Sequence, residues 1–308
     1  MNTPSNAVPE TSVDARGIAP AAVSATRPMY WSVRRELWEN RSLYVAPLIV
    51  AAVMLSGFLI STIGLPHRRR AVLLLGPAQQ RAAIERPYDM AAMMILATAF
   101  IVGVFYCLDA LHGERRDRSI LFWKSLPVSD LTTVLSKASI PLVVLPLIAF
   151  AIIVATQADM LLLSNAVLRM NGVSAATPEQ MPVFQQSLIL LYGLVTLALW
   201  HAPIYAWLLL VSGWARRATF LWAVLPPFLI AGLEKIALGT SYIGSMLRYR
   251  LMGHMETAFA SGADWRIGSM AQLTPERFLS TPGLWVGLLF AAAFLAAAVR
   301  LRRDRGPI

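Results

Sequence analysis

Hydrophobic positions along this chain gather into long unbroken runs rather than an alternating or heptad pattern. Six runs stand out: Tyr44–Gly64, Met90–Leu108, Ala138–Ala158, Ser187–Val211, Ala218–Leu238 and Pro282–Arg300. Each approaches the roughly 20 residues that a helix needs to cross about 30 Å of hydrocarbon at about 1.5 Å per residue. Backbone in lipid must satisfy its own hydrogen bonds, so such runs are helices. None shows the alternation of a barrel strand. The pattern therefore predicts an all-α integral membrane fold with six transmembrane helices in a single domain, residues 29–308. Residues 1–28 are rich in Pro, Ala, Ser and Thr and lack the apolar core of a secretory signal. They are expected to form a disordered cytoplasmic tail.

Two segments between the runs carry their own pattern. In Met29–Arg41, Tyr30, Trp31, Val33, Leu37 and Trp38 fall on one helical arc, and Ser32, Arg35, Glu36, Glu39 and Asn40 on the other. Arg34 and Arg41 lie within the apolar arc and must snorkel. This reads as an N-terminal amphipathic helix lying in the membrane interface, or as a cytoplasmic extension of the first span. Gly239–Thr281, between the fifth and sixth spans, is too long for a tight turn. It interleaves Tyr242, Ile243, Met246, Leu247, Tyr249, Leu251 and Met252 with Arg248 and Arg250. It reads as short amphipathic helices that dip into the outer leaflet or cap an external mouth, or as an ordinary surface loop.

Composition sharpens the class. The chain is 57% hydrophobic and only 14% charged, against about 45–50% and about 25% in soluble domains. A water-soluble enzyme and a disordered chain are both excluded. The net charge is +10. The basic residues sit in short clusters at the edges of the apolar runs, which suits anionic headgroups and the positive-inside rule rather than nucleic acid. Placing both termini in the cytoplasm puts Arg34, Arg35 and Arg41, the Arg115–Lys137 cluster, Arg216 with Arg217, and Arg300–Arg305 inside. Arg68–Arg70 violates this arrangement. Cys107 is the sole cysteine, so no internal disulfide forms.

Motifs of chemistry are absent from the sequence. There is no G-x-x-x-x-G-K-[ST] phosphate loop, no G-x-G-x-x-G, no H-E-x-x-H and no G-x-S-x-G. His67, His112, His201 and His254 are scattered, so no metal set and no catalytic residue is expected. His201 is the one ionisable residue deep in a span. It is read either as a contact on a substrate path or as an interhelical hydrogen-bonding group, such as one serving a carbonyl freed by Pro203. Glu234 and Lys235 lie near the end of the fifth span, where snorkelling is cheap.

The most informative stretch is Ala110–Lys137. His112–Arg118 continues the second span as a charged helix. Ser119–Leu126 is a short amphiphilic piece carrying Ile120, Leu121, Phe122 and Trp123. Pro127 stops it. Ser129 is a good N-cap for the next helix, whose positive end Asp130 complements. Apolar and aromatic bulk rimmed by charge is what a partner-binding anchor looks like.

These residues resemble the intracellular coupling loop of ABC transporter permeases of the exporter-type, "ABC-two", class. The matching positions are Glu114, Arg115, Ser119, Ser125, Leu126, Pro127, Val128, Ser129 and Lys137. Where that family often has Gly-Thr, this chain has Arg118-Ser119. The layout is also similar: an interfacial helix, six spans and an external helical element. The resemblance implies the membrane subunit of an ATP-driven exporter in the bacterial cytoplasmic membrane. It implies a second permease subunit, identical or different, and a separate ATP-binding subunit. That partner would carry ATP and Mg; this chain is expected to need no cofactor and not to be an enzyme. The implied partner-contacting residues are Glu114, Arg115, Arg116, Ser119, Leu121, Phe122, Trp123, Leu126, Pro127 and Ser129. Membrane lipids are the other expected partner. The competing readings are a membrane anchor or regulatory scaffold and, behind it, a membrane-embedded enzyme.

Overall fold

The computed structural model describes residues 26–125, 128–173, 183–260, 269–306 and 308. The expected 1–28 tail therefore lies almost wholly outside the described residues. Fourteen helices follow in order: α1 Thr26–Glu39, α2 Ser42–Ser61, α3 Leu65–Val72, α4 Pro77–Ala110, α5 His112–Arg116, α6 Ser119–Ser125, α7 Asp130–Ser139, α8 Leu145–Met170, α9 Val183–Trp214, α10 Thr219–Leu238, α11 Tyr242–Met252, α12 His254–Ala258, α13 Pro275–Ser280 and α14 Pro282–Asp304. No strand occurs among the described residues.

Six helical rods are long and apolar enough to cross a membrane. They match the six hydrophobic runs, but most are longer. The second extends over Pro77–Arg116 and the third over Asp130–Met170, at 40 and 41 residues. Each is about 60 Å of helix, twice the hydrocarbon thickness. Hydropathy marks where lipid begins, whereas the helix persists until capping or packing ends it. Thus Asp89, just ahead of the second apolar run, sits within α4. Pro141 is accommodated by a widened π turn over Ile140–Val144, which joins α7 to α8 without breaking the rod.

The bundle core lies where α2, α4, α8, α9 and α14 meet. Leu43, Cys107, Ile140, Leu145, Leu209 and Val211 are almost wholly buried there. Gly103 lets α4 and α8 approach closely: a Cβ at this position would stand 3.1 Å from the Leu145 side chain and 3.5 Å from the Tyr205 ring. By contrast, α10 leaves Phe228, Leu229, Ile230, Leu233 and Ile236 exposed, as a lipid-facing helix does.

The segment between α10 and α14 is folded back onto the bundle. The Arg250 guanidinium donates to the carbonyls of Trp200 (3.3 Å) and Gly283 (2.7 Å) and lies 4.8 Å from the Trp200 ring centroid. Glu234 does not snorkel. It is 8% exposed, and its carboxylate accepts from Thr240 Oγ1 (2.8 Å), Tyr242 N (2.6 Å) and Ile243 N (2.7 Å), capping the start of α11. Replacing Glu234 with Ala is expected to raise hydrogen exchange of the Tyr242–Met252 amides by roughly five- to tenfold, the effect of a lost cap. Exchange in α4 should be unchanged, as read by mass spectrometry.

Candidate functional site

The site begins with α1. Its apolar arc divides: Tyr30, Trp31 and Trp38 are exposed, with Arg34 over the rings of Trp31 and Trp38, while Val33 and Leu37 pack against the bundle core. On the other arc Arg35 and Glu36 turn toward the protein, and Glu39 stays exposed. Glu36, expected on a solvated polar face, is 1% exposed. A carboxylate can be buried only if cations and donors replace its water. Lys137 Nζ stands 2.9 Å from Glu36 Oε1 and Arg35 Nη2 at 2.8 Å, while Tyr106 Oη donates to Oε2 at 2.8 Å.

The same lysine reaches a second carboxylate, with Lys137 Nζ 3.2 Å from Glu114 Oε1. Glu114 also faces Arg35 at 3.4 Å and Arg302 Nη2 at 3.3 Å. Arg302 in turn pairs with Asp130. Three carboxylates and three cations, drawn from α1, α5, α7 and α14, thus form one cluster with the Tyr106 hydroxyl of α4 inside it, and exposed Glu39 adds a fourth carboxylate at its rim, 3.6 Å from Arg35. Burial pushes the Glu36 carboxyl upward, but the charges of Lys137 and Arg35 and the Tyr106 bond outweigh it and hold the group below its ordinary value.

Arg115 turns the other way. It is 6% exposed, and its guanidinium donates to the carbonyls of Gly213 (2.8 Å) and Gly306 (3.2 Å). Ser212 Oγ accepts from the amides of Leu111 (3.0 Å) and His112 (2.9 Å), which fixes the break between α4 and α5. Beyond α5 the chain reverses at Arg118, whose φ of 58° is left-handed. This is the position where the resembled family often has glycine, the residue that adopts this conformation without cost.

The reversal presents α6 as an elbow. Ile120 points inward at 1% exposed. Trp123 packs beneath Arg35, whose guanidinium carbon lies 3.8 Å from the ring centroid. Leu121 and Phe122 project outward at 59% and 60% exposed. Lys124 Nζ holds the far end to the carbonyls of Arg303 (3.2 Å) and Arg305 (3.3 Å). Ser129 caps α7, its Oγ accepting from Thr132 N at 3.1 Å. Leu126 and Pro127 lie outside the described residues.

The ten expected contact residues therefore divide by position. Arg116, Leu121, Phe122 and Ser129 are exposed; Ser119 and Trp123 are half-buried; Glu114 and Arg115 are buried within the chain. Buried Glu114 and Arg115 bind the elbow to its own bundle. Lys137 and Glu36 were missed as a pair. The sequence signal was the motif itself: a lysine at the very edge of the third apolar run needs an acid.

His201 is distant from this cluster. Its Nδ1 lies 3.0 Å from the carbonyl of Leu197 and its Nε2 3.3 Å from that of Leu251 at the end of α11. The Leu197 carbonyl is the one a turn before His201 itself, not the one Pro203 frees. No group of three or more metal-binding side chains occurs among the described residues.

No protein-family model, no curated protein and no solved structure matches the chain.

Two outcomes are expected. Because Glu36 titrates lower in the fold than in the open chain, its contribution is present above about pH 4.3 and is lost as pH falls through its lower folded value. Glu36→Gln should cost on the order of 3 kcal/mol at pH 7. The gap in thermal midpoint from the parent should hold down to about pH 4.3 and close below it. Arg118→Gly should stabilise the reversal by about 0.5–1 kcal/mol, the left-handed penalty less the added chain entropy, read as a higher thermal midpoint.

Proposed function

We propose that this chain is the membrane-spanning subunit of an ATP-driven exporter of the ABC type, with α6 as its coupling helix. One observation carries the reading: two aliphatic and aromatic side chains, Leu121 and Phe122, stand exposed on a short helix rigidly seated at the tips of the longest rods. An apolar surface of this kind outside the lipid suits a protein partner. The lack of a phosphate loop in the sequence suits a partner that captures the energy of ATP.

In this reading both termini and the elbow are cytoplasmic, α1 lies in the inner-leaflet interface, and α11–α13 are external. The membrane is the bacterial cytoplasmic one. Two such subunits, identical or different, line the path, and ATP and Mg sit on the partner chains. Closure of those chains presses on Leu121 and Phe122. The load passes from Ile120 and Trp123 to Arg35, then through Glu36, Glu114 and Lys137 into α1, α7–α8 and α14. Only interactions that differ between inward- and outward-open states convert that load into transport.

Phe122→Asp combined with Leu121→Asp is expected to leave membrane insertion and thermal stability unchanged while abolishing co-purification of an ABC ATPase. Retained co-purification discards the reading. Trp123→Asp should behave differently and lower the stability of the chain itself, because Trp123 underlies Arg35.

A further inference from the structure

Where α5, the end of α14 and the turn between α9 and α10 meet, the described residues enclose a pocket of about 500 Å³. Arg115 of α5, Arg216 of the turn, and Asp304, Arg305, Gly306 and Ile308 line it. The chain builds these walls by itself. Arg305 Nη1 donates to the Trp214 carbonyl (2.8 Å), the Ile308 amide to the Arg115 carbonyl (3.2 Å), and Lys124 Nζ to the Arg305 carbonyl (3.3 Å).

The charge in this pocket is not offset, unlike that around Glu36. Among the described residues none of its three arginines forms an ion pair. Arg216 and Arg305 lie near enough for their charges to oppose that of Arg115. Asp304 is exposed and pairs with none of them. Cations therefore outnumber carboxylates on the wall, even with the Ile308 carboxylate counted against them. Each arginine also keeps donors to spare. Arg115 spends Nε and Nη1 on carbonyls and leaves Nη2 unbonded, Arg305 spends Nη1 alone, and exposed Arg216 makes no hydrogen bond among the described residues. Like charges gathered in a partly enclosed space repel, and a bound anion removes that cost.

We infer that this pocket binds a phosphate group, held by Arg115, Arg216 and Arg305. Guanidinium forks match phosphate oxygens. A tetrahedral phosphate presents acceptors in several directions, whereas a carboxylate presents two oxygens in one plane. Donors converging from three separate elements suit the former. The volume leaves room for a whole headgroup around the phosphate. Arg216 lies just past the end of the fourth span, Phe184–Trp214, beside the exposed Trp214 and Trp222, whose rings stand 5.0 Å apart. Tryptophans at a span end mark headgroup depth. The phosphate is therefore either that of an anionic phospholipid or the free anion from the adjoining water. The inference does not draw on the exporter reading, since binding needs no ATPase.

The test uses the full chain in a neutral detergent. Phosphatidylglycerol binding is read by native mass spectrometry, with phosphatidylcholine as the reference lipid. Inorganic phosphate is titrated by calorimetry against chloride of equal ionic strength. Arg216→Gln should weaken binding by about tenfold, the loss of one charge-assisted hydrogen bond. The thermal midpoint of the ligand-free chain should not change, because Arg216 makes no bond within the fold. Asp304→Asn should tighten binding. Arg217→Gln, exposed next door but off the pocket wall, should leave it unchanged. Preference for phosphatidylglycerol that Arg216→Gln removes supports the site and makes the lipid its source. Binding of inorganic phosphate with the same dependence, and no lipid preference, supports the site with the free anion as its source. Phosphate that displaces the bound lipid supports one pocket serving both. Absence of Arg216-dependent binding by either probe overturns the inference. Equal losses from Arg216→Gln and Arg217→Gln overturn it too, because they mean diffuse attraction to a basic surface. So does weaker binding in Asp304→Asn, which means that the pocket takes a cation.

Discussion

The structure depends on a buried charge cluster in which every ion has an opposite partner. Moving one carboxylate or ammonium ion from water into a low-dielectric interior costs several kcal/mol even after relaxation. Here Glu36, Glu114 and Lys137 are 1%, 8% and 3% exposed, so none persists alone. Lys137 binds both acids at once, and Arg35 and Arg302 complete the account from opposite sides. Because the ions come from four helices, the cluster has low energy in one relative placement of α1, α5, α7 and α14. An apolar core would hold these helices as firmly but would let them slide. Fixed partners at 2.8–3.4 Å do not.

The opposite end solves a different problem. There two side chains bind main-chain carbonyls instead of carboxylates: Arg250 donates to two and leans on the Trp200 ring, and His201 lies against the Leu251 carbonyl near the end of α11. Non-helical backbone near lipid depth is tolerated only where protein satisfies it, and these side chains do so. The fit demands small residues in α14. A Cβ at Gly287 would fall within 2.5–2.7 Å of the Arg250 guanidinium, and one at Gly283 within 2.9 Å of the Tyr249 hydroxyl. Two glycines four residues apart thus leave room for a folded-back segment.

Six spans, the capping role of Ser129 and the helical nature of the segment after α10 were legible because each follows from local pattern. Hydropathy, however, reads lipid exposure and not helix length, so α4 and α7–α8 ran beyond their expected ends. The amphipathic arc of α1 was also legible, but what its polar face meets was not. Glu36 lies 101 positions from Lys137, and no window of sequence joins them. That Glu114 and Arg115 turn inward was hidden for the same reason. A charged residue beside an exposed helix reads as surface until the fold shows it turned inward. Arg118 is the converse case, since its left-handed backbone makes sense of the glycine that the resembled family often has there.

The two ends are joined by rods, and the rods meet at one tight point. Gly103 of α4 packs against Leu145 and Tyr205 with almost no clearance. It stands about ten residues from Met93, beside the gap between α4 and α9, and about eleven from Glu114 in the ion cluster, or roughly 15 Å each way. A helix pressed at one end and pinned near its middle moves its other end the opposite way by a similar distance. In the proposed function, force on Leu121 and Phe122 reaches α4 through Glu114 and the short α5. A tilt of about 10° about Gly103 would shift Met93 relative to α9 by some 2–3 Å over that arm. That displacement is comparable to the contact distance between two side chains, enough to change the width of the gap between α4 and α9. In that reading the ion cluster keeps the rod from slipping under load, and the small-residue pivot turns the load into a change of width.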